Sequence, residues 1–469
     1  MTPSSSQPQD PQIWAIVACP NSGSTLVEHV FAASTVCAVT DQRVLRDGKG
    51  SESLAWDDLE SFNVLAKAKN AGKRFVICMQ ELDNGLQNAE CSSDASYSPS
   101  AHATFRSVYL ISDPVRVLDN WKKAGRANAE TLVDCFVNMS RALQQAPSHT
   151  ASSLVYERLV QDPSAEIKRI CNHWGSENLT DFNQSLGSGS ASFVDTDLPC
   201  HDLLSNAEKD TIEKQVGHLY LDFWKDDVQK LRAMFTKKTW FGFDLDDTLH
   251  EFRRSSGKAT HKVLRQISMQ YDIPLPALQG EYSHILKEKT ANAFSDGKTS
   301  FDYRRERFAS LLANFSLPQD NTFLTEILNS YESTLRASLE LKCGALNLLS
   351  TIKGMGKKIV IMTEGPQDAQ ERAVKDLGID GHIDFLATTN YFGVTKVDGL
   401  FNKVMKHLCI SPEEIVYVGD NEDRDVKPAM AEGILCVHLA ETKHVALDAL
   451  PPRLNTLRKL QYILLDEGS

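Results

Sequence analysis

The stretch from Trp240 to His250, WFGFDLDDTLH, constrains this chain more than any other. It opens on an aromatic-rich apolar run, Trp240 to Phe243, which predicts a buried strand. The run stops on three carboxylates, Asp244, Asp246 and Asp247, with Thr248 directly after. Carboxylates at the end of a buried strand predict an α/β domain, because such sheets bind ligands at their carboxyl edge. The i, i+2 spacing lets Asp244 and Asp246 converge if the chain turns at once after the strand. One carboxylate can then attack while the other handles a proton. Taken alone, the pattern fits a solvated acidic turn after an edge strand equally well, so the rest of the chain has to decide.

At 469 residues the chain exceeds one ordinary core, and two domains are expected. A boundary is expected near Phe235 to Lys238, where an amphipathic helix gives way to the apolar run. That divides the chain into a tail over 1–10, a first domain over 11–236 and a second over 237–469. In the second domain, residues from about 251 to 345 have a helical pattern, with Val263, Ile267, Phe308, Leu312, Ile327 and Leu328 among the apolar positions. A helical insert directly after such a strand is large enough to be a lid. Arg304, Arg305 and Arg307 lie in it. Such a run is more often a solvated helix face than a reader of anions. Then the α/β rhythm returns. Strands are expected at Lys358 to Met362, Phe385 to Thr388, Ile415 to Val418 and Cys436 to Leu439.

Four features now stand in order: DxDxT at Asp244, Asp246 and Thr248; Thr363 at a strand end; Lys396 in a loop; and GDxxxxD at Gly419, Asp420 and Asp425. In this order they resemble the haloacid dehalogenase (HAD) superfamily, in its phosphatase branch with a helical C1 cap, over residues 238–469. The resemblance implies a Rossmann-like parallel core and a Mg²⁺-dependent phosphatase. Asp244 would be the nucleophile and Asp246 the general acid and base, with Thr363 and Lys396 on the phosphoryl oxygens. Mg²⁺ would lie on Asp244, the Asp246 backbone carbonyl and Asp420, with Asp425 behind them or as a further ligand. The acid at position 246 speaks against a dehalogenase. The substrate implied is a small phosphate ester.

The first half carries a weaker signal. Ile13 to Ala18 predicts a strand, followed by a small-residue loop over 19–25 and a helical pattern with Leu26, Val27 and Val30. Strand, small loop and helix can cradle a phosphate, through loop amides and a helix N-terminus. The candidate anion-binding residues are Ser22, Gly23, Ser24 and Thr25. Ala18 and Ser24 hold the first-glycine and lysine positions of a Walker loop, which disfavours an ordinary nucleotide triphosphatase. The loop resembles the P-loop of sulfotransferases instead. Asp113, Pro114, Arg116, Trp121 and the segment LVYERLV followed by Asp162 and Pro163 continue that resemblance over about 11–235. It implies a second α/β domain with a P-loop sulfotransferase-like parallel sheet. The departures fall on functional positions. Asn21 stands for the loop's basic residue, Ser112 for the arginine that binds the 3′-phosphate of the donor PAPS, and Asn120 for the serine that shares it. An arginine fork is hard to replace at a phosphate site. A fold kept without the transfer chemistry is therefore expected.

Charge and cysteine usage narrow the class. A net charge of −12 argues against general affinity for nucleic acid. The ten cysteines form no CxxC pair, so reduced thiols, a cytoplasmic protein and no zinc site are expected. No apolar run is long enough to span a membrane, and the polar, Pro- and Ser-rich N-terminus lacks the pattern of a signal peptide. Residues 187–192 (GSGSAS) read as a loop within the first domain. Four alternatives stay open: a phosphomutase, a bifunctional enzyme whose first domain still transfers a sulfuryl or phosphoryl group, a nucleic-acid end-processing phosphatase and, from another class, a non-catalytic binding module.

Overall fold

The computed structural model describes residues 12–19, 22–32, 37–40, 66–81, 105–125, 129–174, 203–290 and 297–465. The expected tail over 1–10, Asn21 and the GSGSAS segment lie outside the described residues. The chain divides into two compact units, residues 1–225 and 226–469. Each is built on one parallel sheet.

In the first unit the strands are β1 (Gln12–Ala18), β2 (Cys37–Thr40), β3 (Phe75–Glu81), β4 (Phe105–Ile111) and β5 (Ala151–Val155), in the order β2-β3-β1-β4-β5. The β1 strand is buried on both faces, which is why IWAIVA reads as a continuous apolar run rather than an alternating one. Strand order reverses at β1, with β4 on its other side, so a crevice is expected between the ends of these two strands. Cys19, Ser22, Gly23 and the helix Ser24–Ala32 follow β1 there. Beside them, Asp113 caps the helix Pro114–Lys123 by accepting from the amides of Val115 and Arg116. Beneath, the fully buried Glu157 accepts from the Asp113 amide at 2.8 Å and the Tyr220 hydroxyl at 3.0 Å. Burial, and after it the nearby Asp113 carboxylate, raises the Glu157 pKa to about 7.

The second unit holds β6 (Trp240–Phe243), β7 (Lys358–Thr363), β8 (Phe385–Thr388), β9 (Ile415–Gly419), β10 (Leu435–Leu439) and β11 (Arg453–Leu454). Their order is β11-β10-β9-β6-β7-β8. The chain runs from β6 to β7 and β8 on one side, then returns to place β9 on the other. The reversal therefore lies at the carboxyl end of β6, where Asp244 stands. The helix Lys225–Thr236, read from sequence as the end of the first domain, falls almost wholly in the second unit. There Arg232 Nε donates to the Ile463 carbonyl at 2.8 Å, a tie 231 residues away in sequence that no local pattern reveals.

Between β6 and β7 stands a four-helix cap: Phe252–Tyr271, Leu275–Thr290, Ser300–Asn314 and Asn321–Ala337. Ala259, Val263 and Ile267 recur every four residues on the first helix and pack into the cap's own apolar cluster with Phe308, Leu312, Ile327 and Leu328. Thr299 and Asp302 form a capping box, and Asp320 caps the last helix. The cap's two stems cross side by side. The Glu251 amide donates to the Glu340 carbonyl, and the Lys342 amide donates to the Leu249 carbonyl, each at 2.9 Å. Buried Lys342 binds Glu441 at 2.6 Å and Glu251 at 3.2 Å, which ties both stems to the core. None of the described helices is long and apolar enough to cross a membrane.

Candidate active site

The site gathers where three strands end. Asp244 follows β6, Thr363 ends β7, and Gly419 ends β9 ahead of Asp420. The chain then has to turn sharply after β6. Asp247 takes a left-handed conformation (φ 63°), and its carboxylate accepts from the Arg253 amide at 3.0 Å. Thr248 is thereby carried back beneath the strand ends. It accepts from the Asp420 amide at 3.0 Å, and its Oγ1 lies 3.2 Å from Asp420 Oδ1 and 3.4 Å from Asp244 Oδ2. The threonine thus ties β6 to β9.

Lys396 lies between two carboxylates. Its Nζ donates to Asp244 Oδ1 and to Asp425 Oδ1, both at 2.5 Å. Burial opposes the ammonium, but Asp244 and Asp425 outweigh it, and the lysine's pKa is raised. A protonated lysine held this close keeps the group an ion pair. Burial also pushes the Asp244 carboxyl up, against the pull of Lys396, and the neighbouring Asp425 and Asp246 add to the rise. Asp420 is raised to about 6, first by burial and then by repulsion from Asp425. The cluster therefore packs three carboxylates against one ammonium.

That packing is built into the sequence around Gly419. A Cβ there would stand 2.6 Å from Asp425 Cγ, so only glycine admits the carboxyl. Asp425 also accepts from the Tyr417 hydroxyl at 2.9 Å and the Asn421 amide at 3.1 Å. The Lys396 loop is fixed by Glu364, which accepts from the Lys396 amide at 2.9 Å and is itself held by Arg424.

Asp246 faces elsewhere. Its carboxylate meets His250 Nε2 at 2.9 Å and Gln370 Nε2 at 3.3 Å. It lines a cleft with about 30 Å³ of free space that also includes His250, Arg304, Glu332, Gln370 and Arg372. The two acids thus have different partners, although Asp246 lies near enough to add to the rise in the Asp244 pKa. Asp244 is paired to a buried cation, while Asp246 lines a cleft.

The donor set fits a hard divalent cation. Asp244, Asp420 and Asp425 offer carboxylate oxygens that all lie within 4.8 Å of one another. Asp246, expected to reach the metal through its backbone carbonyl, turns its side chain to His250 and Gln370. Thr363 is 1% exposed, and its Oγ1 has no hydrogen-bond partner among the described residues. An orphaned buried hydroxyl at a strand end is what a ligand oxygen would satisfy.

Sequence reasoning overlooked His250, Gln370, Tyr417 and Glu364. Only His250 left a signal, its i+4 spacing from Asp246. The arginine run was also misjudged in part. Arg304 is buried, pairs with Glu332 and stacks on Tyr331, because its helix turns that face inward. Arg305 reaches Asn321 at 2.6 Å.

Residues 239–433 match the family model described as haloacid dehalogenase-like hydrolase. This half of the chain is a HAD-like hydrolase domain. The curated relatives carry phosphatase names. The glyceraldehyde 3-phosphate phosphatase of Methanocaldococcus jannaschii is 28% identical over 204 residues, 43% of this chain and 85% of that protein. Its namesake from Methanopyrus kandleri is 24% identical over 206 residues, 43% and 84%. The phosphoserine phosphatase of Thermus thermophilus is 28% identical over 90 residues, 19% and 36%. Among solved structures, the magnesium-bound HAD-hydrolase YfnB of Bacillus subtilis covers 49% of this chain and 99% of its own, at 21% identity and a TM-score of 0.39. With its HAD domain and phosphatase relatives, the chain is a phosphoric monoester hydrolase.

The first unit's loop has a different character. The Ser22 amide donates to the Cys19 carbonyl at 3.2 Å, and the Ser22 hydroxyl donates to the same oxygen at 2.6 Å. Ser22, expected to face an anion, thus uses both donors inside its own turn. Gly23 (φ 102°) lies under the Tyr156 ring, which a Cβ would strike. Ser24 is buried and Thr25 exposed. Ser112, at the position of the donor-binding arginine, donates to the Ser22 carbonyl at 2.5 Å across the β1–β4 crevice.

Proposed function

We propose that the second unit is a Mg²⁺-dependent phosphatase that hydrolyses a small phosphate ester through an aspartyl phosphate on Asp244. The observation that carries this reading is the division of labour between the two acids. Asp244 is held at 2.5 Å by Lys396, whose ammonium opposes the effect of burial, and is placed as the nucleophile. Asp246 lies 2.9 Å from His250 at the cleft and is placed for proton transfer to a leaving group.

In this reading an Asp244 oxygen attacks phosphorus and the ester oxygen departs with a proton from Asp246. Asp246 then takes a proton from water, which cleaves the acyl phosphate. Lys396 and the orphaned Thr363 hydroxyl hold phosphoryl oxygens and offset their charge. Asp425 keeps Lys396 in place. Asp244, Asp420 and the Asp246 backbone carbonyl would hold Mg²⁺, with Asp425 behind. Bound there, Mg²⁺ supplies a Lewis acid that offsets the repulsion between a phosphate dianion and a carboxylate. EDTA is expected to abolish phosphate release, and added Mg²⁺ to restore it. Sustained turnover in chelator, with metal absent by elemental analysis, removes the cation from the reading.

For the first unit we propose a P-loop sulfotransferase-like fold that no longer transfers a group and serves a structural or substrate-presenting role. The parallel order around β1 supports the fold, and the Ser112–Ser22 bond supports the loss, since it closes the crevice where a donor phosphate would lie. Two missing charge-assisted contacts weaken donor binding by about a hundredfold or more. Calorimetry with PAP is therefore expected to show no binding at low micromolar concentration; saturable binding there would restore the transferase reading.

A further inference from the structure

The cleft beside Asp246 carries unusually many charges for its size, and their pairing decides what it can accept. Three guanidiniums line it: Arg304, Arg336 and Arg372. Arginine in such a place normally suggests recognition of a carboxylate or a second phosphate. Each of the three is already taken. Arg336 makes a bidentate pair with Asp376, Nε and Nη2 each at 2.7 Å. Arg372 uses all three nitrogens: Nε to Glu332 at 3.2 Å, Nη1 to Asp368 at 2.8 Å and Nη2 to the Ser300 hydroxyl at 2.8 Å. Arg304 pairs with the other oxygen of Glu332 while stacking on the Tyr331 ring at 4.7 Å.

Glu332 is the hinge of this arrangement. Its Oε2 holds Arg304 and its Oε1 holds Arg372, so one carboxylate engages two guanidiniums on opposite walls, one from the cap and one from the core. A ligand carboxylate would have to displace it. That competition is unequal, because Glu332 is tethered beside both arginines at a high effective concentration. An incoming ammonium could still meet the Asp246 carboxylate or the unpartnered Gln370 Oε1, but in a zwitterion it brings a carboxylate that finds no free guanidinium.

We infer that this cleft selects small leaving groups without a net negative or zwitterionic charge, and that Glu332 is the residue that sets this specificity. The inference rests on the phosphatase reading above, with Asp246 marking the leaving-group side of the site. The free space is small, about 30 Å³, which favours a short leaving group over a nucleoside or an oligonucleotide end. The chemical class is thus a short hydroxylated or carbonyl-bearing alcohol, esterified to one phosphate.

The test uses the full chain with Mg²⁺ and measures phosphate release from four esters of similar size. Glyceraldehyde 3-phosphate and glycerol 3-phosphate have neutral leaving groups; 3-phosphoglycerate has an anionic one and O-phosphoserine a zwitterionic one. p-Nitrophenyl phosphate reports the chemical step alone. The neutral pair is expected to exceed the charged pair in kcat/KM by about tenfold or more, the effect of one charge-assisted contact. In Glu332→Gln the ratio of 3-phosphoglycerate to glycerol 3-phosphate is expected to rise by about tenfold, mainly through KM, because Arg304 and Arg372 become available. If p-nitrophenyl phosphate is cleaved but the unsubstituted chain prefers 3-phosphoglycerate or O-phosphoserine, the specificity inference is overturned while the phosphatase reading stands. If no ester is cleaved, both fall. The preference of the unsubstituted chain decides the matter even if Glu332→Gln does not fold.

Discussion

Asp244→Asn is expected to lower phosphate release by at least about 10⁴-fold, because covalent catalysis without its nucleophile keeps only binding and charge offset. Asparagine keeps the shape of the side chain, so β6 and the turn through Asp247 should persist. Two opposing effects act on stability. The substitution removes an ion pair at 2.5 Å with Lys396, and it also removes one of three crowded buried carboxylates. Lys396 retains Asp425 at the same distance, so no buried charge is stranded. The Tm is therefore expected to stay within about 5 °C of the parent. Turnover within about tenfold of the parent would move the nucleophile to another residue, whereas a large loss of Tm would make the activity change uninterpretable as chemistry.

Lys396→Met is expected to be the most destabilising single change in the site. It leaves Asp244 and Asp425, whose side chains are 8% and 2% exposed, facing each other with no cation between them. Breaking a buried pair from one side costs about 3–5 kcal/mol. In a unit of this size that corresponds to a fall in Tm on the order of 10 °C. Activity should fall by about 10²–10³-fold as well, since one preorganised phosphoryl contact is lost. Adding Asp244→Asn to Lys396→Met should recover part of the lost stability, because the stranded charge is removed. A double variant no more stable than Lys396→Met alone, by thermal melting followed with circular dichroism, would show that the lysine stabilises through packing rather than charge.

The two units differ in how far they could be read from the chain. In the second, the strand ends were legible because each is marked twice, by an apolar run and by the polar residue that stops it. WFGF before Asp244, KIVIM before Thr363 and IVYV before Gly419 and Asp420 all fall on strands of one parallel sheet. The first unit gave its central strand and the helix after it, and the closing bond from Ser112 to Ser22 stayed hidden. That bond joins residues 90 apart, and neither residue type announces a partner.

What the sequence determined by itself is where the strands before Asp244, Thr363 and Asp420 lie and which polar residues follow or end them, because strand periodicity and residue type are local properties. What only the tertiary structure decided is the pairing of charges. Asp425 and Lys396 are 29 residues apart, Gln370 and Asp246 are 124 apart, and Arg372 and Glu332 are 40 apart. Such partners are chosen by strand order and by how the cap meets the core. A charge read one residue at a time cannot say whether it faces water, a ligand or another side chain. The run Arg304 to Arg307 shows this directly: the same spacing that suggests a solvated face placed Arg304 inside, against Glu332 and Tyr331.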